Sequence, residues 1–275
     1  YSFRFGRYCR QYICTTAGAD YYCEVKEGIN MVQIKEPQPH IQLTDAVDTD
    51  CAVVVGDPAR VDVVEKFLDE PEKIMENREY RTVTGTYKGR KILVMSTGIG
   101  APSAAIGIEE LHNIGVKTVI RVGSCGALQP EIGLGDLIVG EGIVRDDGLT
   151  KKYAPEIYPA VPSFRLLALA KKYAPQAHFG IIRSHDGFYM DDNEEVEDFW
   201  AKKGVLGCDM ESGALAVVGR LRGMETLSIL NNVVLCNGDL ADSINSLVNS
   251  ADLVAKGQDE SIKLALNILA HATEE

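Results

Sequence analysis

Four short stretches carry residue types and spacings that bear on chemistry. Gly56-Asp57-Pro58-Ala59-Arg60 follows the apolar run CAVVV and opens a helical pattern. A glycine there admits a ligand close to the backbone, the amides of a helix start favour an anion, and Arg60 can aim a guanidinium fork at the same anion. A plain strand–turn–helix connection with a surface arginine fits the same residues. Arg121-Val122-Gly123-Ser124-Cys125-Gly126 lies at the carboxyl end of the run TVIRV. Parallel sheets bind ligands just outside their strand ends, and an arginine inside a buried strand is costly unless an anion or a carboxylate pairs with it. Ser124 with the amides of Gly123 and Gly126 would complete a phosphate cradle; an arginine paired with a structural carboxylate is the plainer reading.

Ser96-Thr97-Gly98-Ile99-Gly100-Ala101-Pro102-Ser103 matches a dinucleotide fingerprint only loosely. Ser103 replaces the third glycine, Pro102 intrudes, and the strand before it does not open a βαβ unit with an acidic residue about 20 positions on, so a tight close-packed turn is expected rather than NAD binding. Cys208-Asp209-Met210-Glu211-Ser212 leads into a helix of small residues. Glu211 can accept hydrogen bonds from a ribose diol while Met210 packs on the sugar, although a carboxylate at a helix start is often only a cap.

The elements needed to position these stretches alternate along the chain. Strands are expected at residues 51–55, 82–88, 91–96, 118–122, 136–139, 178–183 and 226–235. Helices are expected at 59–68, 102–113, 163–173, 194–203, 212–221 and 261–272. Apolar strands separated by helices imply one α/β domain with a mixed, mostly parallel central sheet flanked by helices. That domain is expected over residues 31–275. Residues 1–30 hold five tyrosines and three cysteines without a clear period and read as an N-terminal extension, non-native or disordered.

Composition narrows the function class. The 275 residues are 45% hydrophobic and 25% charged, which fits a globular chain rather than a disordered one. A formal net charge of −12 argues against a nucleic-acid partner, and no stretch has the roughly 18 apolar residues of a membrane span. Seven scattered cysteines, with no CxxC pair and no HExxH, point to free thiols in a reducing cytoplasm rather than to disulfides or a metal site.

Taken together, PHI at 39–41, GDPAR at 56–60, NREY at 77–80, STGIG at 96–100, IEEL at 108–111, RVGSCGA at 121–127, GFY at 187–189 and DMES at 209–212 are an ordered set of motifs. From about residue 39 to the end, the sequence resembles the nucleoside phosphorylase family of hexameric purine nucleoside phosphorylases and uridine phosphorylases. The resemblance implies a pentosyltransferase that uses inorganic phosphate as co-substrate, with no metal or organic cofactor. Phosphate would be held by Gly56, Arg60, Arg121 and Ser124, with Arg78 supplied by a neighbouring subunit. Ribose would be held by Met210 and Glu211, with His40 supplied across a subunit interface. The partners implied are a nucleoside, phosphate and further copies of the chain in a dimer-based assembly, commonly a hexamer.

The base pocket is less sharply drawn. Uridine-specific relatives carry a Gln and an Arg soon after the FY pair, whereas Phe188-Tyr189 is followed here by Met190-Asp191-Asp192-Asn193-Glu194-Glu195. That run and RVGSCGA look more like the purine branch. Cys125, Gly126, Phe188, Asp209 and Asn237 are the candidate base contacts. Asp239 is the candidate acid that protonates the departing base, with Asn237 able to take its place through a hydrogen bond, and a turn capped by ordinary Asn and Asp remains an alternative. His185 is expected to be structural. A purine-nucleoside phosphorylase is the first expectation and a uridine phosphorylase the second. A hydrolytic nucleosidase would have no use for three phosphate-binding arginines, and a non-catalytic nucleotide-binding module would have no need of Glu211.

Overall fold

A computed structural model describes residues 14–16, 21–23, 36–236 and 247–272, with side chains in the last stretch from 251. The chain divides into two units, Tyr1–Gln33 and Ile34–Glu275. In the first, β1 (Cys14–Thr16) pairs antiparallel with β2 (Tyr21–Cys23). Apart from these strands, the reading of residues 1–30 as an extension lies outside the described residues.

The second unit is built on one nine-stranded sheet. Its strands are β3 (Cys51–Val55), β4 (Asp69–Asn77), β5 (Tyr80–Tyr87), β6 (Arg90–Ser96), β7 (Thr118–Ala127), β8 (Leu137–Asp146), β9 (His178–His185), β10 (Gly207–Asp209) and β11 (Glu225–Val234), in the order β10-β9-β8-β11-β7-β3-β6-β5-β4. The central pairs β3–β6, β3–β7 and β7–β11 are parallel, as are β8–β9 and β9–β10. The β4–β5–β6 meander and the β8–β11 pair are antiparallel. The far end of β7 also pairs with β10, Gly207 opposite Ala127 and Cys208 opposite Gly126, so half of the sheet curls round and closes on itself.

Helices cover both faces. Residues Cys51–Val55 are buried throughout, with Val53 and Val55 on one face and Ala52 and Val54 on the other, as the two-residue period of a strand requires. The first face packs against α1 (Pro58–Glu65), α4 (Phe164–Tyr173) and the closing helix through Val61, Val64, Leu166, Ile262 and Leu266. The second packs against α2 (Ala101–Asn113) and α6 (Ser212–Leu221) through Ile108, Leu111, Leu215 and Val218. The short α3 (Thr150–Tyr153), α5 (Asn193–Ala201) and the closing helix α7 (Leu247–His271) complete the set. Small residues let α6 approach closely: a Cβ on Gly219 would lie 2.4 Å from Thr226 Cγ2.

Each expected strand and helix is present, but several are longer. β7 continues five residues past Val122 and carries the whole RVGSCGA stretch, so the residues expected to form the cradle are strand residues rather than a loop after it. α7 begins at Leu247, well before the expected Ser261. β4 was not expected, because DEPEKIMEN is charged and contains a proline; it is the exposed edge strand, where such residues are tolerated.

Candidate active site

The ends of β3, β7, β10 and β11 open onto a cavity of about 790 Å³. Gly56, Arg60, Arg121, Ser124, Cys125, Gly126, Phe188, Asp209, Met210 and Glu211 all line it, so ten residues singled out from four separate stretches converge.

Arg121 is the centre of the arrangement. Its Nε donates to Asp209 Oδ2 (3.0 Å) and its Nη2 to Glu211 Oε2 (2.5 Å), while its Nη1 is buried with no protein partner. Burial opposes its charge, but Glu211 and Asp209 outweigh burial and raise its pKa. Gly123 makes this posture possible: a Cβ there would lie 2.7 Å from Arg121 Nη2. Arg121 is therefore paired with carboxylates on one side, as the plainer reading expected, and leaves an N–H without a protein partner on the other.

Arg60 stands on α1 with its Nη2 donating to Ser124 Oγ at 2.7 Å. No salt-bridge partner balances it among the described residues. Burial, then the positive charge of Arg121, hold the Arg60 guanidinium below its ordinary value. Two arginines that repel each other in a recess, one with an N–H that has no protein partner, present donors to an anion. The start of α1 contributes less than expected, because Asp57 caps it and accepts from Ala59 N at 2.8 Å.

Glu211 joins three stretches. Gly100, at a φ of 93° that favours glycine, donates its N–H to Glu211 Oε1 at 2.6 Å, and Arg121 holds the other oxygen. The GIG turn is thus the anchor of this carboxylate. Burial pushes Glu211 up, with Asp209 adding to it against the pull of Arg121. Asp209, expected at the base, has its oxygens engaged: Oδ2 accepts from Arg121, from Ser212 Oγ (2.6 Å) and from Ser212 N (3.1 Å). It lines the cavity but serves Arg121 and the start of α6.

His40 and Arg78 do not line this cavity. Glu110 accepts from His40 Nδ1 (2.7 Å), His40 N (3.0 Å) and Ile41 N (2.8 Å), and Asn77 Nδ2 donates to His40 O at 2.7 Å. The His40 segment is thereby tied to the β4–β5 turn, where Arg78 is exposed at a φ of 56°. Asn237 and Asp239 lie outside the described residues.

Some lining residues were not singled out in the sequence. Glu79 is one; a hydrogen bond from Ser103 Oγ holds its carboxyl below the ordinary range. Glu197 and Asn193 are others, one helical turn apart on α5. Their spacing was visible once the helix was recognised, but charge on a helix usually marks a solvated face. His185 is buried and lines the cavity with an unpartnered Nδ1; burial, then Arg183, hold its pKa down. Among the described residues no group of His, Cys, Asp and Glu is placed to hold a metal, and no helix is long and apolar enough to cross a membrane.

The model of the Phosphorylase superfamily matches residues 50–269. A guanosine phosphorylase from Halorubrum lacusprofundi is 35% identical over 237 residues, covering 84% of this chain and 97% of the relative. A crystal structure of a uridine phosphorylase from Vibrio fischeri superposes with a TM-score of 0.81 at 44% identity, covering 86% of this chain and 99% of that one. A purine nucleoside phosphorylase from Toxoplasma gondii, in complex with immucillin-H, superposes with a TM-score of 0.78 at 29% identity, covering 87% and 98%. With its arginines, glycine turns and Glu211 assembled in one cavity, the chain belongs to the phosphorylase superfamily, as a nucleoside phosphorylase.

Proposed function

We propose that the protein performs reversible phosphorolysis of a purine nucleoside, giving the free base and a pentose 1-phosphate. The observation that carries it is the Arg60–Arg121 pair: two guanidinium groups beside Ser124 and Gly56, with Arg121 Nη1 buried and without a protein partner. Phosphate seated there takes the N–H groups that have no protein partner. Arg78 from a second copy of the chain closes the site.

Glu211, fixed by Gly100 and Arg121, accepts the ribose hydroxyls, and Met210 packs on the sugar. His40 of a second copy reaches the 5′-hydroxyl. Phosphate is then held against the anomeric carbon, which supplies proximity and orientation. Positive charge grows on the sugar as the glycosidic bond lengthens, and the bound phosphate stabilises it. Phe188 stacks on the base beside Cys125 and Gly126. Asp239, or Asn237 through a hydrogen bond, neutralises the departing base. Asp209 acts through Arg121 rather than on the base.

The purine preference is supported by the lack of a Gln and Arg after Phe188-Tyr189 and by the guanosine and purine relatives. The 44% identity to a uridine phosphorylase supports the alternative substrate. Shared residues from two copies require a homo-oligomer, dimer-based or hexameric. The free thiols Cys51, Cys125, Cys208 and Cys236 support a reducing, cytoplasmic setting.

The test is to incubate the protein with inosine, adenosine, methylthioadenosine and uridine, with and without phosphate, and to follow base release. Purine nucleosides should turn over only with phosphate. Uridine as sole substrate would overturn the purine preference.

A further inference from the structure

One wall of the cavity carries a carboxylate with no cationic partner and an amide oxygen with no partner among the described residues. Asn193 and Glu197 stand at i and i+4 on α5, and both line the cavity. Asn193 Nδ2 donates to Glu197 Oε1 at 2.7 Å, and Asn193 Oδ1 is buried without a partner. No lysine or arginine pairs with Glu197 among the described residues. The carboxylate lies near the end of β10 and the end of β11: after burial, its charge is the next influence raising the thiol of Cys208, to about 12, and that of Cys236. The arginine pair is partnered by Ser124, Asp209 and Glu211, so Glu197 is not part of the anion site. His185, also lining the cavity and buried, adds a ring Nδ1 without a partner.

A carboxylate accepts and never donates, and so does an amide oxygen. A base that meets this wall must offer N–H groups. Uracil offers one N–H between two carbonyl oxygens, and both oxygens would face acceptors. Hypoxanthine offers one N–H beside a C–H. Adenine sets its amino group beside a ring nitrogen that accepts. Guanine alone of these places two donors side by side, the ring N1–H and the 2-amino group, at the spacing of the two oxygens of a carboxylate.

We infer that Glu197, oriented by Asn193, is the residue that selects the base, and that it favours a 2-amino-6-oxopurine nucleoside, guanosine or its 2′-deoxy form. The assignment rests on the nucleoside reading of the cavity. Glu197 is a specificity residue, and Asn193 positions it.

Calorimetric binding of guanosine and of inosine in the absence of phosphate tests it, because the two differ only in the 2-amino group and no turnover takes place. One additional charge-assisted hydrogen bond should make guanosine bind about 10- to 100-fold more tightly in the unmodified protein. In Glu197→Gln the amide N–H₂ opposes the 2-amino group, and the guanosine-to-inosine ratio should fall to within about threefold while inosine binding persists. Asn193→Ala should lower the ratio in part. Retained inosine binding and an unchanged melting temperature show that the variants fold. An unchanged ratio in Glu197→Gln, or a preference for uridine in the unmodified protein, would overturn the assignment. Selective guanosine binding without any phosphorolysis would instead overturn the phosphorylase reading and leave the base assignment standing.

Discussion

Arg60→Ala separates a phosphate-binding arginine from a structural one. Among the described residues the Arg60 side chain makes one hydrogen bond, to Ser124, and burial and Arg121 oppose its charge more than Asp57 and Glu211 support it. Losing a charged hydrogen bond costs about 1.5 kcal/mol, and removing the repulsion offsets most of it. Without phosphate the variant should therefore be within about 1 kcal/mol of the unmodified protein. With phosphate the two diverge. A guanidinium fork on phosphate makes two charge-assisted bonds, together about 2.8 kcal/mol, which is a hundredfold in affinity. At a phosphate concentration 100 times its dissociation constant, the unmodified protein gains about 2.7 kcal/mol, and a variant binding a hundredfold more weakly gains about 0.4. Thermal denaturation with and without phosphate reads both quantities. A phosphate-induced shift of equal size in the two proteins would refute the assignment. So would a large loss of stability in the phosphate-free variant, which would make Arg60 a structural group.

Arg121→Ala should behave differently. It strands Asp209 and Glu211 as buried carboxylates, so a loss of about 3–5 kcal/mol is expected in urea unfolding even without phosphate, together with most of the phosphate-dependent rate. Glu211 accepts from ribose through both oxygens only when ionised, since protonation turns one of them into a donor, and burial raises its pKa. As pH falls through that raised value the acceptor is lost, so the acid limb of kcat/KM for the nucleoside should lie above the ordinary glutamate range, and Glu211→Gln should abolish the limb. Cys208 lines the cavity with its thiol pushed up to about 12, chiefly by burial. It should resist iodoacetamide at pH 8 in the folded protein, as peptide mass spectrometry would show, and react once unfolded.

Much of the site was legible because its chemistry is local. A glycine turn followed by Arg60, and an arginine inside an apolar strand, each fit an anion site within a few residues, although each also has a plainer structural reading. The pairing of Arg121 with Asp209 and Glu211 was not legible, since 88 and 90 residues separate the partners and only the β7–β10 closure brings them together. The role of Gly100 was missed for the same reason: its N–H reaches Glu211 across 111 positions. The core strands were readable from short, mostly apolar runs such as CAVVV, KILVMS and TVIRV. β4 was not, because an edge strand is free to carry the charges and the proline that normally mark a loop. Glu197 went unnoticed because nothing in a helical sequence tells which of its acidic residues turns toward a cavity. His185, expected to be structural, is both buried and at the cavity wall.

The central claim is that phosphate, not water, receives the sugar. The most direct measurement incubates the protein with a purine nucleoside and labelled orthophosphate and counts label in the sugar product against base released. One labelled pentose 1-phosphate per base, with no release when phosphate is omitted, is the expected result. Base release at the same rate in phosphate-free buffer, with free pentose as the product, would contradict the account.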